Sequence, residues 1–158
     1  QEDLLQFVSK LIHLRLEHPV LHRRRFFSGR EPGEDVSTIP QIEWFDHTGS
    51  IMDMDDWSNT HAFSMMVFLN GSRIPETDWY GSPMIDNDFI LIFNAHYEPI
   101  MFTLPSERYG KKWQLLIDTY NPKGPELSSE AGFAITAQAR SFLLLKSSDC
   151  PAVRREDS

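Results

Sequence analysis

The chain has 158 residues, 41% of them hydrophobic, which is enough for one well-formed core and too little for two large domains. Its 15 basic and 23 acidic residues give a formal charge of −8, which argues against nucleic acid as a partner. Cys150 is the only cysteine, so neither an intramolecular disulfide nor a thiolate metal cluster can form, and a reducing, cytoplasmic compartment is favoured. No apolar run approaches the ~20 residues that cross a bilayer, so no membrane partner is expected.

The first predicted element is a helix over residues 3–18, which Asp3 can cap and Pro19 stops. A helix that is apolar around most of its circumference is normally buried on more than one side. We therefore expect this helix to pack on protein that these 158 residues do not contain, and the first residue, Gln1, indicates a cut in a longer chain. The apolar positions are Leu4, Leu5, Phe7, Val8, Leu11, Ile12, Leu14 and Leu16.

Residues 22–40 contain four arginines, two glycines and two prolines without an apolar period, which is typical of a connector. Short β-rich runs separated by turn residues follow. This pattern predicts a mainly β fold, an antiparallel β-sandwich preceded by one N-terminal α-helix. The predicted strands cover residues 41–45, 62–70, 89–94, 100–104, 113–119, 132–136 and 141–146.

The phase of the apolar residues predicts which strand faces are buried. Two runs alternate and should bury one face each. Residues 65–69 and 89–93 are apolar without interruption, so both faces of these strands should be covered, one by the second sheet and the other by a neighbouring domain. Phe93 is therefore expected in the core. The inward residues of the alternating runs are Ile100, Phe102 and Leu104, and Trp113, Leu115 and Ile117.

A metal site is not expected among the six histidines. Only His18 and His22 stand four apart, and Pro19 breaks the helix between them, so they do not share a helical face. The sequence therefore implies no metal and no cofactor.

Two acidic clusters admit a catalytic or a structural interpretation. Asp53, Asp55 and Asp56 form the first, and Asp86 and Asp88 form the second. The first cluster lacks the central glycine and the later glutamate of a calcium loop. A catalytic pair of carboxylates for glycoside hydrolysis is defined by its separation in space, so the sequence leaves the catalytic interpretation open. The structural interpretation, aspartates in turns or at strand ends, is favoured.

Aromatic and basic residues supply the remaining binding candidates. The phase of Trp113 places it in the core. Trp57, Trp79 and Tyr80 lie in polar or turn-rich segments, where they can stack on a sugar ring or pack in the protein.

The run of Arg23, Arg24 and Arg25 either pairs with carboxylates or contacts phosphate, and pairing is favoured. Asn70-Gly71-Ser72 matches a glycosylation sequon, but it is interpreted as a strand-ending turn.

Several short sequence segments, taken in their order along the chain, resemble those of a known family. Residues 11–15 (LIHLR) and 18–21 (HPVL) resemble the last barrel helix of the α-amylase superfamily. Segments further along resemble the bacterial glycogen-debranching enzymes of the isoamylase type and their C-terminal β domain. These segments are 24–29 (RRFFSG), 42–45 (IEWF), 56–57 (DW), 93–96 (FNAH), 102–105 (FTLP), 118–119 (DT) and 139–141 (ARS).

The resemblance implies a division into the last helix of an absent (β/α)₈ barrel (residues 1–24), a C-terminal β-sandwich (residues 25–147) and a polar tail (residues 148–158). It also implies a parent that hydrolyses α-1,6 branch linkages in glycogen or maltodextrin, with catalytic carboxylates on the barrel. None of the catalytic motifs occurs here, so we expect the chain to be inactive alone.

The expected partners are the barrel of the same chain, glycogen or maltodextrin through the parent, and a second copy of the chain through the N-terminal helix. Two alternatives remain open, an autonomous carbohydrate-binding module and a structural or oligomerising β domain.

Overall fold

The computed structural model describes residues 2–30, 32–35, 37–59, 63–125 and 127–149. Its first element is α1, Glu2–Glu17, followed by a 3₁₀ turn, Pro19–Leu21. The helix ends one residue before the predicted end, because Pro19 lacks an N–H and the residue before it, His18, is extended. Apart from Ser148 and Asp149, the predicted polar tail lies outside the described residues.

All seven predicted strands are present, with ends within two residues of the predicted ones. Within the described ranges, one further strand, β6, and a short helix, α2, are present that the sequence does not predict. The elements after α1 are β1 (Ile42–Phe45), α2 (Met54–Ser58), β2 (Ser64–Leu69), β3 (Phe89–Asn94), β4 (Ile100–Thr103), β5 (Lys112–Asp118), β6 (Ser128–Glu130), β7 (Ala134–Ala137) and β8 (Ser141–Ser147).

The strands form two antiparallel sheets, which confirms the predicted fold class. The larger sheet has six strands in the order β1-β2-β3-β8-β5-β6, and the smaller one pairs β4 with β7. The main core lies between the two sheets. It combines Ile90 and Ile92 of β3 with Phe102 of β4, Ala137 of β7 and the fully buried Trp113 of β5.

A second apolar cluster covers the opposite, outer face of the six-stranded sheet. It contains Val67, Phe89 and Leu144, which pack against Val20 of the 3₁₀ turn and the partly buried Phe7 of α1. Both faces of β2 and β3 are therefore covered in part, as predicted. The cover on the outer face comes from the chain's own helix.

Ile117 is buried, as predicted, but on the other face of the sheet, and the predicted core position of Phe93 is wrong. A β-bulge lies between Leu115 and Ile117, which pair with the consecutive residues Leu145 and Leu144 of β8. The extra residue reverses the alternation, so Ile117 joins the cluster on the outer face instead of the main core. Phe93 also points to the outer face, where it is 39% exposed. No helix in the described part of the chain is both long and apolar enough to span a membrane.

Candidate functional site

The acidic cluster after β1 forms the start of a helix. Asp53 is the N-cap of α2, and its Oδ1 accepts hydrogen bonds from the backbone N–H groups of Asp55 (2.9 Å) and Asp56 (3.0 Å). In return, Asp56 Oδ2 accepts from the N–H of Asp53 at 3.0 Å, which completes a capping box. This geometry favours the structural interpretation of the cluster over a pair of catalytic carboxylates.

In the second acidic cluster, Asp86 holds the end of α1 and Asp88 holds the turn after β2. Asp86 Oδ1 lies 2.7 Å from His18 Nδ1, and Asp86 Oδ2 accepts from the backbone N–H of Val20 at 3.1 Å. Asp88 Oδ1 accepts from the N–H of Gly71 at 2.9 Å. Among the described residues, no group of three or more His, Cys, Asp or Glu side chains is arranged to hold a metal ion.

The segment after β2 is a tight turn, as predicted from its sequence. Asn70 is buried, and its side-chain amide donates to the backbone carbonyls of Ile39 and Pro40. A Cβ atom at Gly71 would clash with the backbone carbonyl oxygens of Asp86 and Asn87, so only glycine fits this approach of the two chain segments. The buried Asn70 amide holds the loop and is not a surface acceptor for a glycan.

The three candidate sugar-contact residues occupy two different environments. Trp57 is half exposed, and its ring packs edge-on against Trp44 of β1 at 5.3 Å. Trp79 and Tyr80 are 96% and 94% exposed, at the tip of a turn between β2 and β3. Trp79 lines the cavity described below, and Trp57 and Tyr80 do not line that cavity. The structure therefore does not bring Trp57 into the cavity beside Trp79.

The turn that carries Trp79 is held by its own hydrogen bonds. Asp78 Oδ1 accepts from the backbone N–H groups of Tyr80 and Ser82, both at 2.8 Å, and the N–H of Asp78 donates to the carbonyl of Ser82. Gly81 has a φ of +80°, a conformation that favours glycine. These contacts fix the backbone that presents the Trp79 indole.

A cavity of about 560 Å³ lies between this turn and the segment that follows α1. It is lined by Pro19 and Arg23 of that segment and by Glu76, Trp79 and Met84 of the segment between β2 and β3. The cavity therefore joins one of the predicted sugar-contact residues to the first arginine of the basic run.

Arg23 and Glu76 form the polar part of the wall. The Nε atom of Arg23 lies 3.7 Å from Glu76 Oε2, and its Nη2 donates to Gln41 Oε1 at 2.6 Å. Glu76 Oε1 accepts from the backbone N–H groups of Arg24 (3.1 Å) and Arg25 (2.9 Å). The predicted pairing of the basic run with a carboxylate is thus confirmed for Arg23. Sequence reasoning missed Glu76, because it lies about 50 positions after its partners and nothing local marks it.

Burial and charge act in opposite directions on this pair. Burial lowers the pKa of Arg23, and the neighbouring Glu76 carboxylate only partly reverses that effect. Burial alone would raise the pKa of Glu76, but the backbone N–H of Arg25 and the charge of Arg23 hold it below its ordinary value of 4.5. A lowered pKa keeps Glu76 ionised at neutral pH, where its oxygens only accept hydrogen bonds.

A second candidate site is the outer apolar face, which we define as Leu4, Leu5, Ile12 and Leu16 of α1 together with Phe93 of β3. All five side chains are exposed. Phe93 contacts Phe142, which belongs to the same cluster as the sheet-facing side of α1. The face therefore lies on the outer side of the six-stranded sheet.

Residues 41–145 match the family model described as isoamylase, C-terminal. The chain is 37% identical over 145 residues to the glycogen operon protein GlgX homolog of Mycobacterium tuberculosis (strain ATCC 25618 / H37Rv), a match that covers 91% of this chain and 20% of that protein. It is also 24% identical over 119 residues to the isoamylase of Pseudomonas amyloderamosa, which covers 75% of this chain and 13% of that protein.

Among solved structures, the chain is similar to a pullulanase from Anoxybacillus sp. LM18-11 that is complexed with maltotetraose. The TM-score is 0.52 at 14% identity, over 93% of this chain and 16% of that one, and this likeness shows the fold alone. The chain therefore spans a fifth or less of the length of each of these proteins.

Proposed function

This chain belongs to the family of isoamylase C-terminal domains, and from that membership we propose that it is the non-catalytic domain that stabilises the catalytic barrel of a glycogen-debranching hydrolase. In this proposal the parent hydrolyses α-1,6 branch linkages in glycogen or maltodextrin in the cytoplasm. Its catalytic carboxylates belong to the barrel, and its contact with this domain is intramolecular.

The observation that carries the proposal is the outer apolar face. Leu5 and Leu16 of α1 are each 71% exposed, although the same helix packs Phe7 and Leu14 on the sheet. Leaving apolar surface in contact with water costs roughly 25 cal/mol of free energy per Å². A large exposed apolar patch therefore marks an interaction site. Because 80% of the GlgX homolog lies outside the match, a partner within the same chain is the simplest cover for this face.

The acidic residues support a non-catalytic role for the chain. The carboxylates of Asp53 and Asp56 are used in the cap of α2, and that of Asp86 holds the end of α1. We expect the 158-residue chain to release no reducing sugar from glycogen, pullulan or branched maltodextrin. Release above a buffer control that is abolished by changing one of these carboxylates would contradict the proposal.

The stabilising role is tested in the complete parent enzyme with an outer-face triple variant, Leu4→Gln, Leu5→Gln and Leu16→Gln. We expect debranching activity to be lost at a lower temperature, because the substitutions place polar groups in the barrel contact. KM at low temperature should stay unchanged. Met101→Gln is the matched control, since Met101 is equally apolar and exposed but lies on the two-stranded sheet. A triple variant that is as heat-stable as this control would refute the role.

A further inference from the structure

We propose that the cavity between the end of α1 and the Trp79 turn binds a neutral glucan chain, with the Trp79 indole stacked on a glucose ring and Arg23 and Glu76 hydrogen-bonded to its hydroxyl groups. That the ligand is a neutral sugar follows from the cavity's own chemistry. That the sugar is an α-glucan rests on the proposed function. The site is separate from the outer apolar face and adds a binding role to a stabilising domain.

The size and walls of the cavity suit one or two sugar rings. Its volume of about 560 Å³ falls within the ~300–1,000 Å³ typical of small-molecule sites. Such sites combine apolar walls with a few fixed polar groups. Here Ile74, Pro75 and Met84 supply apolar surface, and Arg23 and Glu76 supply the polar groups.

Trp79 has the properties of a stacking platform. It is almost fully exposed, so the indole face is not used in packing the protein. The Asp78 carboxylate and Gly81 fix the turn beneath it, so little backbone order is lost when a ligand binds. A flat aromatic face on a fixed support binds the apolar face of a pyranose ring at low entropic cost.

The polar wall has hydrogen-bonding capacity of both kinds that the protein does not use. The Arg23 side chain is only 2% exposed and is held against the Phe27 ring at 4.2 Å. Among the described residues, Nε and Nη1 of Arg23 and Oε2 of Glu76 have no hydrogen-bond partner. Buried groups of this kind normally have one, and a ligand hydroxyl that bridges the ion pair of Nε and Oε2, which are 3.7 Å apart, would accept from the first and donate to the second.

The charges around the cavity favour a neutral ligand over an ion. The lining includes three basic residues, Arg23, Arg24 and Arg25, and two acidic residues, Glu76 and Asp78. The acidic residues disfavour a phosphate, and the basic residues disfavour a cation. A sugar hydroxyl both donates to a carboxylate and accepts from a guanidinium group, so it can pair with either kind of residue.

The proposal is tested by calorimetric titration of the full 158-residue chain with maltoheptaose. We expect saturable binding, weakened about tenfold or more by Trp79→Ala, as for a residue that dominates a binding contact. Tyr80→Ala is the matched control, because Tyr80 is as exposed as Trp79 and lies on the same turn but does not line the cavity. It should change Kd by less than about twofold. Glu76→Gln should also weaken binding while the Trp79 indole fluorescence still responds to bound sugar.

Three results would overturn the proposal. The first is the absence of saturable binding up to about 10 mM maltoheptaose, which is beyond the range of a specific site. The second is an equal loss of affinity in Trp79→Ala and Tyr80→Ala, and the third is displacement of maltoheptaose by inorganic phosphate. If any of these occurs while the outer-face triple variant still destabilises the parent, only the glucan site is refuted. If the triple variant has no effect while Trp79-dependent binding persists, only the stabilising role is refuted.

Discussion

At the residue scale, Trp113 and Phe93 show how the two sides of one sheet differ. Trp113 points into the main core and is fully buried, whereas Phe93 points to the outer face and contacts Phe142 with rings 5.0 Å apart. The sequence places both in apolar strand segments, and only their direction distinguishes them. The consequences of their removal should therefore differ.

We expect Trp113→Ala to lower the free energy of unfolding by about 3–5 kcal/mol, because it leaves a large cavity in the core. Phe93→Ala should cost only about 1 kcal/mol in the isolated chain, since its side chain is already partly in water. Urea denaturation monitored by circular dichroism measures both. A Trp113→Ala variant within about 0.5 kcal/mol of the wild type would contradict the core assignment.

Glu76 should contribute a pH-dependent part of the stability. Its pKa in the folded chain lies below the ordinary 4.5, so the folded state favours the ionised carboxylate. The stabilisation is therefore complete above pH 4.5 and is lost as the pH falls through the lower folded value. Glu76→Gln should cost about 1–3 kcal/mol at neutral pH, and the difference from the wild type should shrink below pH 4.5. A difference between the two variants that stays constant from neutral pH down to pH 3, which is below the ordinary pKa of 4.5, would contradict this.

At the scale of elements, α1 is attached to the sheet by a narrow contact. Phe7 and Leu14, seven residues apart on one face, pack on the sheet, and Lys10 Nζ donates to the carbonyl of Leu116 at 2.6 Å. The remaining apolar side chains of the helix face outward. The expectation that this helix has more apolar surface than one neighbour can bury is met by the structure.

Without a partner domain, the exposed side of α1 should drive self-association of the isolated chain. We expect sedimentation velocity to show concentration dependence, which the outer-face triple variant abolishes because it removes the apolar contact. Phe7 is unsuitable for this test, since it packs on the sheet and its replacement would also destabilise the fold. A wild-type chain that stays monomeric up to millimolar concentration would refute the prediction.

Sequence patterns predict those elements whose signal is local. The period of α1 and the apolar runs of β2, β3 and β8 are such signals, and their ends follow from Pro19 and the turn residues. In contrast, β6 consists of two serines and a glutamate and is specified by its pairing with β5. The helix α2 begins at the capping box of Asp53 and Asp56, whose spacing is a local signal, but its five residues are too few to show a helical period.

At the candidate site, prediction fails where the contacts join residues that are far apart in the sequence. Trp79 was identified from its turn-rich surroundings, but the same reasoning selected Trp57, which packs on Trp44 instead. The cavity brings Arg23 to Glu76 across about 50 positions of sequence, a distance over which composition and periodicity carry no information. The reversal at Ile117 likewise arises from a one-residue bulge against β8.

At the scale of the whole molecule, the two sides of the sandwich differ in how their apolar surface is covered. The six-stranded sheet carries α1 and the outer apolar face, whereas the two-stranded sheet covers the main core. The central claim is that the outer apolar face is built to contact the rest of a debranching enzyme. The division of the chain at residue 24 stays a prediction that follows from this claim.

Oxidative footprinting by hydroxyl radicals tests that claim most directly, by comparing the complete parent enzyme with the isolated chain at a concentration where the chain is monomeric. We predict that Leu5, Leu16 and Phe93 are labelled in the isolated chain and strongly protected in the parent. Met101, on the two-stranded sheet, should be labelled equally in both. Equal labelling of Leu5, Leu16 and Phe93 in the parent and in the isolated chain would contradict the account.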